Sequence, residues 1–293
     1  MQLSDNMRGA FIMMLSMAAF TLNDVFIKSV SDDMPLFQAV FIRGVMTTSL
    51  IAMIAIHQGA FKVHIPRRDW GIIGLRLIGE VGATVFFLTA LFNMPLANVT
   101  AILQSLPLAI TLAGAVFFGE KVGARRYSAI AVGFVGVLII VRPGTEGFNI
   151  YSISTLIAVA FVVLRDLSTR RLSRSVPSVS VALVAAIVVT LMGGAMTAIG
   201  DWEPVSSRSV ALLGGAAIFI VAGYLSSIMV MRVGEISFIA PFRYTAMIWA
   251  IGLGIVVFGE MPDNWTLLGS AIVIGMGIYT FYRERRLEKL KTG

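Results

Sequence analysis

Residues 97–120 read ANVTAILQSLPLAITLAGAVFFGE, and residues 237–260 read SFIAPFRYTAMIWAIGLGIVVFGE. Each is an apolar run of about 20 residues, long enough to cross a bilayer core at about 1.5 Å per residue. Each carries an internal proline, Pro107 or Pro241. Each ends on the same triplet, Phe118-Gly119-Glu120 or Phe258-Gly259-Glu260, with Gly114 and Gly254 in register at an offset of 140. A second block matches nearer the start of each copy. Asp24, Lys28 and Pro35 correspond to Asp166, Arg170 and Pro177 at an offset of 142. Two matching blocks in the same order indicate an internal duplication.

Outward from these stretches the pattern continues. The chain has 293 residues, 57% hydrophobic and 13% charged. A soluble domain carries about twice that charge fraction, so most of this chain must face lipid. Apolar spans fall at about 8–28, 35–57, 69–91, 95–118, 126–142, 150–170, 178–199, 209–231, 236–258 and 266–282. The first is read as a retained helix rather than a cleaved signal, because many spans follow it. The expected fold is an all-α integral membrane protein of ten transmembrane helices. With five spans per copy, an odd number, the second copy enters the membrane from the opposite side, giving two inverted repeats, 1–145 and 146–293.

The basic residues set an expected orientation. With the N-terminus in the cytoplasm, sixteen of the 23 Lys and Arg residues fall inside, among them Arg8, Lys62, Lys121, Arg125, Arg126, Arg174 and Arg232. Only Lys28, Arg142 and Arg208 fall outside. One helix more or fewer would move every later loop to the other side. The expectation is therefore a multi-pass inner-membrane protein with both termini cytoplasmic. Contact with anionic lipid accounts for the net charge of +7 better than nucleic acid does.

Ten spans, two five-helix copies and the Gly-Glu that ends the fourth and ninth spans resemble the EamA family of the drug/metabolite transporter superfamily. Within it, the chain looks most like YddG-type amino-acid exporters. That resemblance implies a central cavity between the repeats and export of amino acids, aromatic ones included.

Charges inside a membrane are costly and mark partners or wet cavities. The first span carries Asn23 and Asp24, and the second carries Arg43, within pairing depth of Asp24. The third carries Arg76 and Glu80, spaced to neutralise one another, with Thr84 on the same stripe. The sixth carries Arg165 and Asp166, and the ninth carries Arg243 at a depth close to Glu80. A zwitterionic solute needs a cation for its carboxylate and an acceptor for its ammonium. Arg243 and Glu80 are the candidates, and Glu80 is also the candidate carrier of a coupling proton. Asp24, Arg43, Arg76, Arg165 and Asp166 are read as gating or structural charges, with Asp24 and Asp166 sharing one role at opposite faces.

Pro107 and Pro241 are expected to break their helices, which a membrane tolerates only where protein or water satisfies the backbone. The polar residues around the breaks, Gln104, Ser105 and Tyr244, therefore join Asn23, Glu80, Thr84 and Arg243 in the candidate cavity. Tyr224 and Ser227 on the eighth span and Trp249 on the ninth add stacking and hydrogen bonding. Glu120 and Glu260 read as capping or solvated groups.

There is no Gly-rich phosphate loop with Lys-Ser/Thr and no catalytic Ser or zinc motif. With no cysteine, a thiolate site is excluded. No cofactor or metal is expected, and the expected partners are a small-molecule substrate and membrane lipid, with the chain working as a monomer. The rival readings are a drug or organic-cation exporter, a channel, and an intramembrane lipid-modifying enzyme. The last would need clustered catalytic groups at one interface.

Overall fold

The computed structural model describes residues 5–59, 66–119, 123–145, 148–173, 175–230 and 236–292. Lys62, Glu120, Lys121, Arg174 and Arg232 lie outside the described residues. The described elements are all helical: α1 (Asp5–Lys28), α2 (Leu36–His57), α3 (Arg67–Asn93), α4 (Leu96–Leu103), α5 (Leu106–Phe118), α6 (Ala124–Val141), α7 (Tyr151–Arg170), α8 (Ser178–Ile199), α9 (Ser207–Val230), α10 (Ile236–Ile239), α11 (Thr245–Phe258) and α12 (Asn264–Thr292). A 3₁₀ turn, Ala240–Tyr244, joins α10 to α11. Ten segments are long and apolar enough to cross a membrane, α4 and α5 together forming one of them. Large apolar side chains such as Phe117 and Val256 stand exposed on these helices, as a lipid-facing surface requires.

The duplication is visible element by element. α2 and α8 each have 22 residues and each follows a proline, Pro35 or Pro177. The broken span from Leu96 to Phe118 has its counterpart from Ile236 to Phe258. Both end on a glycine in the left-handed region, Gly119 at φ 65° and Gly259 at φ 67°. That conformation closes the helix and suits a residue without a Cβ. The two breaks differ from a simple proline kink. α4 stops at Leu103, Gln104 and Ser105 form the turn, and Pro107 lies in the first turn of α5, where a missing N–H costs little. Pro241 likewise opens the 3₁₀ turn rather than bending a continuous helix.

The helices gather into two compact units. One comprises Met1–Thr21, Met94–Leu156 and Ala222–Gly293; the other comprises Leu22–Asn93 and Ile157–Val221. Each draws on both repeats. In the second unit α2 packs along α8, and Thr48 Oγ1 lies 3.1 Å from Thr190 Oγ1. In the first unit the Gln104 side-chain amide donates to the Tyr244 carbonyl at 3.2 Å. Thr48 and Thr190 are 142 positions apart and Gln104 and Tyr244 are 140 apart, the two offsets of the duplication. A residue that touches its own repeat mate lies on the pseudo-twofold axis relating the copies. Each unit therefore carries the symmetry internally.

Polar groups close the helix ends. In the second unit, buried Gln38 donates to the Glu203 carbonyl at 2.7 Å and accepts from the Glu203 amide at 3.0 Å, so both ends of its amide are engaged. In the first unit, Glu260 accepts from the Leu96 amide at 2.8 Å and so caps α4. α6 ends at Arg142, whose φ of 50° is left-handed. Its guanidinium grips Asp263, which in turn caps α12 by accepting from the Thr266 amide at 2.7 Å. Partial desolvation raises the Asp263 pKa, but the Thr266 hydrogen bonds and the Arg142 charge outweigh it, and the net pKa lies below the ordinary 3.8. A lowered folded pKa gives stability that is present above the unfolded value and lost as pH falls through the folded one. The expected outcome is a small acid-side loss beginning near pH 4 that Asp263→Asn removes, read by thermal unfolding in detergent. The side chain is 41% exposed, so solvent screening keeps the effect below about 1 kcal/mol.

Candidate functional site

Arg243 apart, the candidate intramembrane charges fall into two networks, both in the second unit. The larger forms where α3 meets α7. A Cβ on Gly79 would lie 2.8 Å from the Arg165 amide nitrogen and 2.9 Å from the Phe161 carbonyl; one on Gly82 would strike the Phe161 ring at 2.5 Å. Two small residues thus let the helix backbones meet, and Phe86 stacks on Phe161 with ring centroids 5.7 Å apart. Closeness brings Arg165 onto Glu80. One Glu80 oxygen takes Arg76 at 3.1 Å and the other takes Arg165 at 3.4 Å. Arg165 also donates to Asp166 at 2.9 Å. Arg76 donates to the Thr169 hydroxyl at 3.1 Å, which itself donates to the Arg165 carbonyl. Two cations and two anions balance.

The smaller network ties α1 to α2. Asp24 and Arg43, expected to pair, are joined through Asn23. The Asn23 amide donates to Asp24 at 2.9 Å, and its carbonyl oxygen accepts from Arg43 at 3.1 Å. Burial of Asn23 explains why it bridges: an amide offers a donor on one side and an acceptor on the other, satisfying both charges.

These networks are repeat mates. Asn23-Asp24 and Arg165-Asp166 stand at the offset of 142. In both, the residue before the aspartate donates to its Oδ1 at 2.9 Å. Both aspartates lie four residues before the basic end of their helix, Lys28 or Arg170. The first copy draws its cation from α2. The second supplies its own in Arg165 and adds Glu80 and Arg76 from α3.

The remaining candidates spread along the chain. Gln104, Ser105 and Tyr244 are buried at the two helix breaks of the first unit. The Ser105 hydroxyl donates to the Ile102 carbonyl at 2.7 Å. Tyr244 fits over Gly277, where any Cβ would collide with its hydroxyl, and that hydroxyl has no hydrogen-bond partner among the described residues. Ser227 donates to the Tyr224 carbonyl. Thr84 is half-buried, and Arg243 and Trp249 are exposed. A crevice beside Pro107 is lined by Thr111, Arg126 and Thr280 among others, with a volume of about 10 Å³. That is room for about one water molecule and far too little for a solute. The sequence reading missed Gly79, Gly82, Thr169 and the Thr48–Thr190 contact. The glycines flanking Glu80 and the matched offset of the threonines were the available signals.

Residues 7–142 match the EamA-like transporter family. The match covers just under half of the chain, within the first repeat. With ten spans and relatives named as transporters, the chain is a multi-pass membrane transporter. Relatives have the same character. A riboflavin transporter of Vibrio cholerae is 27% identical over 67% of this chain and 66% of its own. An S-adenosylmethionine uptake transporter of Rickettsia prowazekii is 23% identical over 93% of this chain and 92% of its own. The pseudopaline exporter CntI of Pseudomonas aeruginosa is 23% identical over 91% and 93%. A solved protein structure superposes with a TM-score of 0.63 at 18% identity, covering 96% of this chain and 99% of its own, which establishes a shared fold. The relatives' names span three solutes and both directions of transport, and none of the three is named as an amino-acid exporter, so likeness to them alone selects no solute.

Proposed function

We propose that this chain is a secondary transporter of the bacterial inner membrane, with both termini cytoplasmic, that carries amino-acid-type metabolites by alternating access. The observation that carries the reading is the pair of matched charge networks. In repeats that run in opposite directions, equivalent positions near equivalent helix ends fall toward opposite faces of the membrane. One network then clasps α1 to α2 near the outer face, and the other clasps α7 to α3 near the inner face. Opening one clasp while the other holds exposes a solute to one side at a time, and repeats of the same architecture keep the two states close in energy. The repeats 1–145 and 146–293 act as the two exchanging halves within a single chain.

The solute class is argued from the polar and aromatic groups of the spans, among them Gln104, Tyr224 and the exposed Trp249, with few free charges. S-adenosylmethionine, named for one relative, is itself an amino-acid derivative. Counterflow in proteoliposomes tests the reading. Unlabelled S-adenosylmethionine or phenylalanine inside is expected to speed entry of the labelled solute at least five-fold. Equal entry with and without internal solute would leave a channel. Stimulation by organic cations alone would favour a drug exporter, and either result overturns the proposal.

A further inference from the structure

We infer that Arg243 is the anion-recognition point for the transported solute, which therefore carries a carboxylate or a phosphate. The inference rests on the transporter reading and concerns one residue. Among the described residues, every other charge well inside a span is engaged. Asp24 and Arg43 share Asn23; Arg76, Glu80, Arg165 and Asp166 neutralise one another; and Lys28 donates to the Leu91 carbonyl. Arg243 lies in a span and is exposed, and its side chain has neither an ion pair nor a hydrogen bond with the described residues. A guanidinium is costly against hydrocarbon, so the medium it meets must be polar.

Its backbone position supports this. Arg243 sits on the 3₁₀ turn Ala240–Tyr244. Non-α backbone within a membrane is tolerated against protein or a water-filled space, not against lipid. With three residues per turn, Phe242, Arg243 and Tyr244 point three ways. Phe242 packs on Met13, Val230 and Ile239, and Tyr244 covers Gly277. Arg243 takes the third direction, which is open.

Symmetry adds a second argument. Tyr244 touches its mate Gln104 on the pseudo-axis. The mate of Arg243, at the same offset of 140, is Leu103, an apolar residue in the same architectural place. The fold can be built there without a cation, so the charge on one copy answers to something the fold does not need. An exposed planar fork of five N–H donors matches two oxygens of one carboxylate or phosphate.

A lipid headgroup phosphate offers the same chemistry, so the test separates the sources. Binding is measured by thermal shift on the purified chain in maltoside micelles, with phenylalanine, phenylalaninamide, S-adenosylmethionine and inorganic phosphate as probes. A probe bearing a carboxylate or phosphate is expected to bind at least ten-fold tighter than phenylalaninamide. Arg243→Gln is expected to erase that difference and Arg243→Lys to keep part of it. The proposal is overturned if no anionic probe binds, if acid and amide bind alike, or if Arg243→Gln leaves the ratio intact. It is also overturned if Arg243→Gln alters only the dependence of transport on added phosphatidylglycerol, since the anion is then a headgroup. Counterflow without acid–amide discrimination removes this inference and spares the transporter reading; discrimination in binding without counterflow does the reverse.

Discussion

Glu80→Ala is expected to lower the stability of the folded chain by about 3 kcal/mol, the low end of what an uncompensated buried charge costs, and to abolish counterflow. Glu80 stands between two guanidiniums, Arg76 at 3.1 Å and Arg165 at 3.4 Å. The Arg76, Glu80 and Arg165 side chains are 11%, 22% and 29% exposed, so the field between them is only partly screened. The four-charge cluster is neutral. Without Glu80 it holds a net positive charge, while Arg165 keeps Asp166 and Arg76 keeps only the Thr169 hydroxyl. Arg76 Nη1 already lacks a partner, so no spare acceptor is at hand. Glu80→Gln keeps the shape and one acceptor and is expected to lose less. The double variant Glu80→Ala with Arg165→Met removes one charge of each sign. It is expected to recover more than 1 kcal/mol relative to the sum of the single losses, the usual sign of a direct coupling. Thermal unfolding of the four proteins in detergent measures this. Strict additivity would mean that the cluster contributes no coupling, and the clasp between α3 and α7 would then have to rest on Gly79, Gly82 and Phe161 alone.

Much of the architecture can be read from the chain because membrane insertion makes length and apolarity decisive. Ten apolar runs became ten spans, and the matched blocks around Asp24 and Phe118-Gly119-Glu120 became matched helices. The charged residues could be singled out one by one for the same reason, since charges within spans are rare. Their partners could not. Arg76 and Glu80 are a helical turn apart and their pairing is local. Arg165 lies 85 positions from Glu80, and its pairing depends on two glycines letting α3 and α7 approach. The bridging role of Asn23 is hidden in the same way, because nothing in the sequence reveals that Arg43 reaches its oxygen rather than Asp24. The helix breaks show the same limit. Proline marked the right spans, but the turn at Gln104 and Ser105 precedes Pro107, because proline favours the start of a helix as strongly as it disfavours the interior.

Gly269→Val is expected to be the most disruptive single substitution in the first unit, costing about 3 kcal/mol, the upper end of ordinary overpacking. α6 and α12 cross where Gly136 faces Gly269. A Cβ on Gly269 would lie 2.6 Å from the Gly136 carbonyl oxygen and 2.6 Å from Ile140 Cγ1; one on Gly136 would lie 2.9 Å from the Gly269 carbonyl oxygen. The obstruction is reciprocal, and on each side its nearest atom is a backbone carbonyl oxygen, which cannot turn aside as a side chain can. Relief requires the helices to separate. Separation would loosen the packing around buried Val137, Ile140 and Val273, whose dispersion contacts fall off steeply with distance. Gly275→Val supplies the control, because Gly275 lies on the same helix with nothing within 4 Å of an added Cβ. Its effect is expected to stay within about 0.5 kcal/mol, as for a surface substitution. Thermal unfolding and the monodisperse yield of the two variants compare them directly. Equal stability would show that the α6–α12 crossing yields without cost, and close glycine contact would then not be what holds these repeat mates together.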